Sequence, residues 1–284
     1  MSKVVVCAIA KNEHLYIKDW VEWYVNLGFD TIYLFDNDNV YEKKDIRDFI
    51  PKEYLDNRKV IVINVRGKEE KCYQQHLYND FYDKNKFTFD WCLFVDIDEY
   101  LTGINNIEEV VKNVPYYVNQ VRIKWKLFGD NDLITRDMSK PVYEVFTKEV
   151  NSSLNRNLKE KGNLECQGKF IIRGKLKNVK IPSPHYALYG KKGLSISMPI
   201  PSCFPSGRIC PTSKVAISGD YSKEKVFINH YMTKSLEEFV NQKLRRNDCV
   251  YNKDITLDYY WRINKKTTEK LLWLNNKGLL WVIK

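Results

Sequence analysis

The sequence predicts an α/β protein: a mostly parallel open sheet flanked by helices, followed by an irregular region and a helical C-terminus. Three observations predict it. In the first third of the chain, short runs rich in β-branched residues alternate with segments of helical periodicity, the rhythm of βαβ units. Those runs are continuously apolar rather than alternating, as in strands covered on both faces. Three of them end in polar tips, Lys11-Asn12-Glu13, Asp36-Asn37-Asp38-Asn39 and Asp96-Ile97-Asp98-Glu99, and open parallel sheets bind ligands beyond the C-terminal ends of their strands.

Taken in order, Val4-Val5-Val6-Cys7-Ala8-Ile9-Ala10 predicts a central strand. Ile17, Trp20, Val21, Tyr24 and Leu27 then recur at helical spacing, and Gly28 supplies a left-handed stop. Thr31-Ile32-Tyr33-Leu34-Phe35 and Val60-Ile61-Val62-Ile63-Asn64-Val65 predict the second and third strands. Residues 71–83 predict a helix with Cys72, His76 and either Tyr73 or Leu77 turned inward. Residues 91–101 read as a single apolar strand ending in acids. A short helix is expected around Ile107-Glu108-Glu109-Val110-Val111, a strand over residues 117–125, and loops over 139–168. Short strands follow at 168–173 and 178–181. Residues 199–211 hold four of the nine prolines and are expected to be irregular. Ser235 with Glu238 three residues on is a capping box opening a helix, with Leu236, Phe239, Val240 and Leu244 inside and Lys243, Arg245 and Arg246 outside.

With 284 residues, 44% of them hydrophobic, the chain can bury a substantial core and is not a disordered one. Its net charge of +10 favours an anionic partner. Seven scattered cysteines without a Cys-x-x-Cys pair argue against a disulfide framework or a zinc site and fit a reducing cytoplasm. The apolar run at the N-terminus is too short to cross a bilayer, and no secretion signal or transmembrane helix is expected.

The stretch Trp91-Cys92-Leu93-Phe94-Val95-Asp96-Ile97-Asp98-Glu99 carries the chemistry. A strand buried on both faces can place carboxylates only at its end. In a strand side chains two apart point the same way, so Asp96 and Asp98 are expected to converge on one side while Ile97 faces back into packing. Two convergent carboxylates suit Mg²⁺ or Mn²⁺, which are commonly held jointly with substrate phosphates. The competing reading is a strand followed by a solvated acidic turn.

In these segments the chain resembles the GT-A (Rossmann-like) nucleotide-sugar glycosyltransferases, most closely their family 2-like and family 92-like group. The residues that carry the likeness are Ala10-Lys11-Asn12-Glu13, Leu34-Phe35-Asp36-Asn37, Phe94-Val95-Asp96-Ile97-Asp98-Glu99-Tyr100 and Trp125-Lys126-Leu127-Phe128-Gly129. Later segments are Gly168-Lys169-Phe170-Ile171-Ile172-Arg173, Pro184-His185-Tyr186 and Asn229-His230-Tyr231 with Lys234-Ser235-Leu236-Glu237-Glu238-Phe239. The chain departs from the common family 2 pattern at Asp36-Asn37-Asp38, where an Asp-Asp-Gly-Ser type turn is usual.

The resemblance implies a hexosyltransferase of polysaccharide biosynthesis that moves a sugar from a nucleotide-diphosphate donor, UDP-linked, to a saccharide or lipid-linked saccharide. It implies a GT-A domain over 1–250, with a nucleotide-binding half (1–103) and an acceptor-side half (104–250), and a helical extension over 251–284. Asp96 and Asp98 would hold Mn²⁺ or Mg²⁺ across the diphosphate, with His230 or His185 as a further ligand. Ala10, Asn12, Glu13 and Asp36 would meet the nucleoside, and Lys169 and Lys234 the phosphates. Asp130, Asp132 and Glu144 fall where a general base for the acceptor would be needed, Asp130 first; its competing role is to cap the turn after Gly129. His14 and His76 are assigned to packing or surface.

Residues 261–284 interleave Trp and Leu with Lys. Packing on the catalytic domain or a homodimer contact accounts for this; peripheral attachment to the inner face of the membrane is the alternative, suited to a lipid-linked acceptor. Two other classes compete. An aspartate-based phosphatase or phosphotransferase also carries Asp-x-Asp, although usually on its first strand. A basic membrane- or nucleic-acid-binding module would use the positive charge, but acidic strand tips repel a polyanion, so no nucleic-acid partner is expected.

Overall fold

The computed structural model describes residues 2–68, 73–150, 168–190, 197–211, 220–244, 249–250 and 253–279. The chain divides into two compact units, Met1–Trp125 with Cys166–Ile228, and Lys126–Glu165 with Asn229–Lys284. Cys72, Cys166, Arg245 and Arg246, and residues 280–284 of the Trp/Leu-rich tail, lie outside the described residues.

The first unit carries the expected sheet. β1 (Val4–Ala10), β2 (Thr31–Asp36), β3 (Val60–Asn64) and β4 (Trp91–Phe94) run parallel in the order β3-β2-β1-β4. Beyond β4 the sheet continues through β7 (Gly168–Arg173) and β6 (Gln120–Leu127), each antiparallel to its neighbour, and then β12 (Phe227–His230) and β5 (Glu99–Thr102). All strand-end tips of the parallel set therefore fall on one edge. Two smaller features lie where irregularity was expected: Ser197–Pro199 adds to a three-stranded sheet with Val179–Ser183 and Tyr186–Gly190, and Ser202–Cys203 pairs with β6.

Both faces of the sheet are covered, which is why its strands are continuously apolar. Val5, Cys7, Cys92, Phe94, Phe170 and Ile172 share a core with Leu77, Tyr78, Phe81 and Tyr82 of α3 (Tyr73–Asn85). Period-two alternation sends these positions to one face and their sequence neighbours to the other. In α1 (Ile17–Asn26), Ile17, Trp20, Val21 and Tyr24 are buried as their spacing predicts, and Gly28 adopts φ +82° at its end. Trp20 and Tyr24 also bond across to β5: the Trp20 indole N–H and the Tyr24 hydroxyl each donate to the Glu99 carbonyl at 3.1 Å.

The expected single strand over 91–101 is two strands. β4 stops at Phe94 and β5 starts at Glu99, with a turn closed by the Glu99 N–H on the Asp96 carbonyl at 3.2 Å. The Trp20 indole N–H donates to the same carbonyl at 3.1 Å. Period-two geometry consequently does not govern Asp96 and Asp98; only the inward Ile97, buried as anticipated, fits it. The helix expected over 71–83 runs Tyr73–Asn85, and the strand expected over 117–125 runs Gln120–Leu127, shifted because Pro115 and the exposed Tyr116 and Tyr117 precede it in a turn.

The second unit has its own small core, Leu236, Phe239, Val240, Leu257, Tyr260 and Leu274, with Trp261, Trp273 and Leu279 packed against it. The capping box is formed as predicted: Ser235 Oγ accepts from the Glu238 N–H and Glu238 accepts from Ser235. The α-helix lasts only from Leu236 to Phe239 before a wider π turn over Val240–Leu244. Thus the described aromatic and leucine residues of the C-terminal segment are largely taken up by packing, Leu272 being exposed. No helix among the described residues is long and apolar enough to cross a membrane.

Two outcomes test this packing. Gly103 has φ +86° and a methyl group there would meet the Lys225 carbonyl oxygen at 2.0 Å, whereas Gly278 has φ +67° and open space around it. Gly103→Ala should cost at least about 2 kcal/mol in chemical denaturation and Gly278→Ala only about 1 kcal/mol. Asp90 accepts from the Lys3 N–H at 2.9 Å and from the Lys175 ammonium at 3.3 Å, and the Lys3 bond chiefly holds its carboxyl below the ordinary range. A depressed folded-state value stabilises above the unfolded value of ~3.9 and is lost as pH falls through the folded one. Asp90→Asn should therefore lower Tm at pH 7, and the gap from the parent protein should close below about pH 4.

Candidate active site

At the sheet edge, register alone brings the tips together. Ala10 pairs with Asp36 and Asp36 with Asn64, while Cys7 pairs with Phe94. The ladder then continues through loop backbone: the Asn37 N–H donates to the Ala10 carbonyl at 2.8 Å, the Val65 N–H to the Asp36 carbonyl at 2.9 Å and the Val95 N–H to the Cys7 carbonyl at 3.3 Å. The loops after β1, β2 and β4 are thereby fixed side by side.

Around the β2 tip, two acids are buried and compensated. Asp36 accepts from the Arg66 Nε at 2.8 Å and Asp38 lies 3.0 Å from His14 Nε2. Arg66 also donates to the Glu42 and Lys44 carbonyls at 2.8 and 2.7 Å, fixing its fork. The Asn12 N–H, presented by a left-handed residue at φ +55°, donates to Asp38 Oδ1. Burial pushes the Asp38 carboxyl above its ordinary value, and the Asn12 N–H, His14 and Arg66 pull it back. Asp36 and Asp38 are thus tied into the protein, and they shape the loop Asn12-Glu13-His14 from behind.

The β4 tip is built around a lysine. Lys169 Nζ, on β7 and wholly buried, lies 2.6 Å from Asp96 Oδ2 and 3.4 Å from Glu99 Oε2. Gln74 Nε2, from α3, donates to Asp96 Oδ1 at 2.6 Å and to the Tyr78 hydroxyl at 3.0 Å. The Asp96 N–H donates to Glu99 Oε2 at 2.8 Å, closing the acidic turn on itself. Burial alone would push the Lys169 ammonium down; the Asp96 and Glu99 carboxylates outweigh it and hold Lys169 above its ordinary value. Glu99 is itself raised well above the carboxylate range by burial, against the pull of Lys169. The two directions agree, because the closer Asp96 suffices to keep Lys169 charged. Asp98 is half-buried and adds to the field at both Lys169 and Glu99.

His185 joins this edge from the loop before Tyr186. Its Nδ1 lies 3.1 Å from the Gly168 carbonyl, next to Lys169, and its ring meets Trp125 edge-on at 5.1 Å. A carbonyl only accepts, so the proton sits on Nδ1 and the lone pair on Nε2, the arrangement found in metal-binding histidines. His230 and Lys234 lie in the second unit; His230 is buried, with its carbonyl accepting from the Phe128 N–H at 3.1 Å.

The three acids expected as general base also lie in that unit. Asp130 is buried: Oδ2 accepts from the Tyr260 hydroxyl and from Lys270 Nζ at 2.5 Å, and Oδ1 from the Asp132 N–H at 2.9 Å. Burial pushes the Tyr260 phenol far up, with the Asp130 charge adding to it. Asp130 caps its turn and ties residues 260–270 to the segment after Gly129. Asp132 and Glu144 are exposed, with Lys148 Nζ 3.6 Å from Asp132.

The donor set was tested for the divalent cation that the resemblance implies. Among the described residues no group of three or more His, Cys, Asp or Glu side chains is arranged to hold a metal ion. Mg²⁺ and Mn²⁺ sites, however, commonly take one or two carboxylates and complete their shell with phosphate oxygens and water. The Asp96 side chain keeps 32% of its surface, and each of its oxygens is met by a protein donor, Oδ2 by Lys169 and Oδ1 by Gln74. The acids of the turn do not fit a self-sufficient cage; a hard cation at Asp96 would need phosphate oxygens and water to complete its shell.

Sequence reasoning placed Asp38 in a polar tip at this edge but missed His14, Arg66, Gln74 and Trp20. His14 has a partial signal, since it directly follows the tip Lys11-Asn12-Glu13. Arg66 and Gln74 had no local signal, being defined only by what they reach.

No protein-family model matches the chain, and no curated protein does so by sequence. Solved structures similar to it include a mannosyltransferase from Pyrobaculum calidifontis in complex with GDP-Man and Mn²⁺, at 11% identity and TM-score 0.32, covering 43% of this chain and 35% of that one. TarS from S. aureus is similar at 15% identity and TM-score 0.32, over 44% and 22% of the two chains. A mycobacterial protein is similar at 14% identity and TM-score 0.32, over 61% and 53%. This chain spans less than two thirds of the length of each.

Removing Arg66 leaves Asp36 and Asp38 without their shared guanidinium while both remain buried. Breaking one side of such a buried pair typically costs about 3–5 kcal/mol, so Arg66→Met should lower unfolding free energy by about 3 kcal/mol, measured by urea denaturation. Arg47→Met, at an exposed pair with Asp45, should cost under about 1 kcal/mol.

Proposed function

We propose that the chain is a metal-dependent glycosyltransferase that takes a sugar from a nucleotide-diphosphate donor, UDP-linked, and passes it to a saccharide or lipid-linked saccharide. The observation that supports this most is the Asp96–Glu99 turn: carboxylates at the mouth of a parallel sheet, beside a buried lysine, on the edge where such sheets bind nucleotides.

In this reading Asp96 and Asp98 hold Mn²⁺ or Mg²⁺ together with the donor diphosphate. The cation would supply Lewis-acid stabilisation of charge on the departing diphosphate. The protein's own work is positioning. Lys169 and Gln74 fix both oxygens of Asp96, and Trp20 holds the turn's carbonyls, so the carboxylates meet the donor without rearranging. The Asn12 and Glu13 side chains would meet the base and ribose, with Asp38 and His14 setting the loop. His185 has its ring fixed beside Lys169, through Nδ1 on the Gly168 carbonyl and the edge-on contact with Trp125. Asp130 orders the second unit, where Asp132 and Glu144 are exposed.

A phosphatase would use the first aspartate as nucleophile. Its nucleophile strand is usually the first, whereas Asp96 follows β4, and Tyr100 stands two residues after Asp98 where such enzymes commonly have Thr or Val.

Asp98→Asn should cut Mn²⁺-dependent release of nucleotide from the cognate nucleotide sugar by about 100-fold or more while Tm stays close to the parent value. A coupled assay for free UDP across a panel of UDP-sugars measures this. Full activity in the variant, or full activity of the parent protein in EDTA, would remove the metal from the proposal.

A further inference from the structure

Lys169 is an unusual neighbour for a cation site. A buried ammonium 2.6 Å from one carboxylate of the acidic turn and 3.4 Å from another already occupies part of the space and field a divalent ion would use. Asp98, the remaining acid of the turn, lies within the same field. Lys169 cannot swing out to water as a surface lysine could: it is on β7, at register with Ile123 of β6, with Phe170 beside it in the core. Its charge is therefore a fixed feature of the turn.

We propose that Lys169 makes cation binding conditional on the donor: the Asp96–Asp98 turn binds Mn²⁺ or Mg²⁺ poorly by itself and binds it well only when a nucleoside diphosphate arrives with it. The inference rests on the glycosyltransferase reading of this site. Its physical basis is charge balance. With Lys169 in place the acids are partly neutralised, and a divalent ion entering alone meets an ammonium of like sign in a low-dielectric setting. A diphosphate brings negative oxygens that both ligate the ion and offset Lys169, so each ligand raises the affinity of the other by the same factor. The cation set, two carboxylates with no third protein acid or imidazole grouped to hold a metal among the described residues, points the same way. The consequence is a site that does not trap free metal and that assembles its cation only on a correct donor. Lys169 is accordingly a positioning residue, acting through Asp96.

Mn²⁺ titration followed by electron paramagnetic resonance, with and without UDP, tests this on the full chain without reference to turnover. In the parent protein UDP should tighten Mn²⁺ binding at least about tenfold, and Mn²⁺ should tighten UDP binding equally. Lys169→Met, close in size and uncharged, should bind Mn²⁺ alone at least about tenfold more tightly than the parent, with the coupling to UDP reduced. Lys169→Arg should behave as the parent does. Lys169→Gln, which keeps a donor for the buried acids, gives the same reading if the Met variant does not fold. Folded Met or Gln variants that bind Mn²⁺ alone no better than the parent, while the parent still binds Mn²⁺ with UDP, would overturn the role of Lys169 and leave the proposed function standing. Absence of Mn²⁺ binding in the parent even with UDP would overturn both.

Discussion

Lys169 is held without solvent exposure between Asp96 and Glu99, and the conformation of the sheet's functional edge follows from that. A buried charge is tolerated only when paired and hydrogen-bonded. Here the pairing sets a chain of consequences. Asp96 must face β7, so β4 ends at Phe94 and the chain turns before β5. Glu99 must fold back to meet both Lys169 and the Asp96 N–H. The carbonyls that the turn leaves over are taken by the Trp20 indole and the Tyr24 hydroxyl from α1. One ion pair thus explains why the acidic turn is rigid, and why its carboxylates sit at the mouth rather than in solvent.

The same solution recurs one strand away. Asp36 and Asp38, also buried, are balanced by Arg66 and His14, and Arg66 is locked by two loop carbonyls. The two arrangements differ in purpose. Around Asp38 one oxygen accepts from the Asn12 N–H and the other lies beside His14 and Arg66, and the outcome is a shaped loop. Around Asp96 about a third of the side chain stays exposed, and the outcome is a carboxylate fixed at the sheet edge.

In the second unit a third buried acid plays the structural part. Asp130, with Lys270, Tyr260 and Asn264, joins the turn after Gly129 to the C-terminal helices. Arg136 and Glu238 add a second buried pair at 2.7 Å. The lysines interleaved among Trp and Leu in this segment are consistent with packing, since Lys270 itself is one of the buried partners.

What the sequence by itself determined is the order of strands and helices, the inward face of α1, the capping box at Ser235 and the edge of the sheet on which polar tips gather. These are local or periodic properties, written in side chains a few residues apart. Tertiary structure alone decided what the acids do. Asp96, Asp98, Asp36 and Asp130 look alike in sequence, each at the end of an apolar run. Their difference lies in Lys169, Gln74, Arg66 and Lys270, residues 22 to 140 positions away that arrive only when the sheet and helices close. The physical reason is that a carboxylate's role is fixed by its desolvation and its nearest cation, and neither exists until distant segments pack.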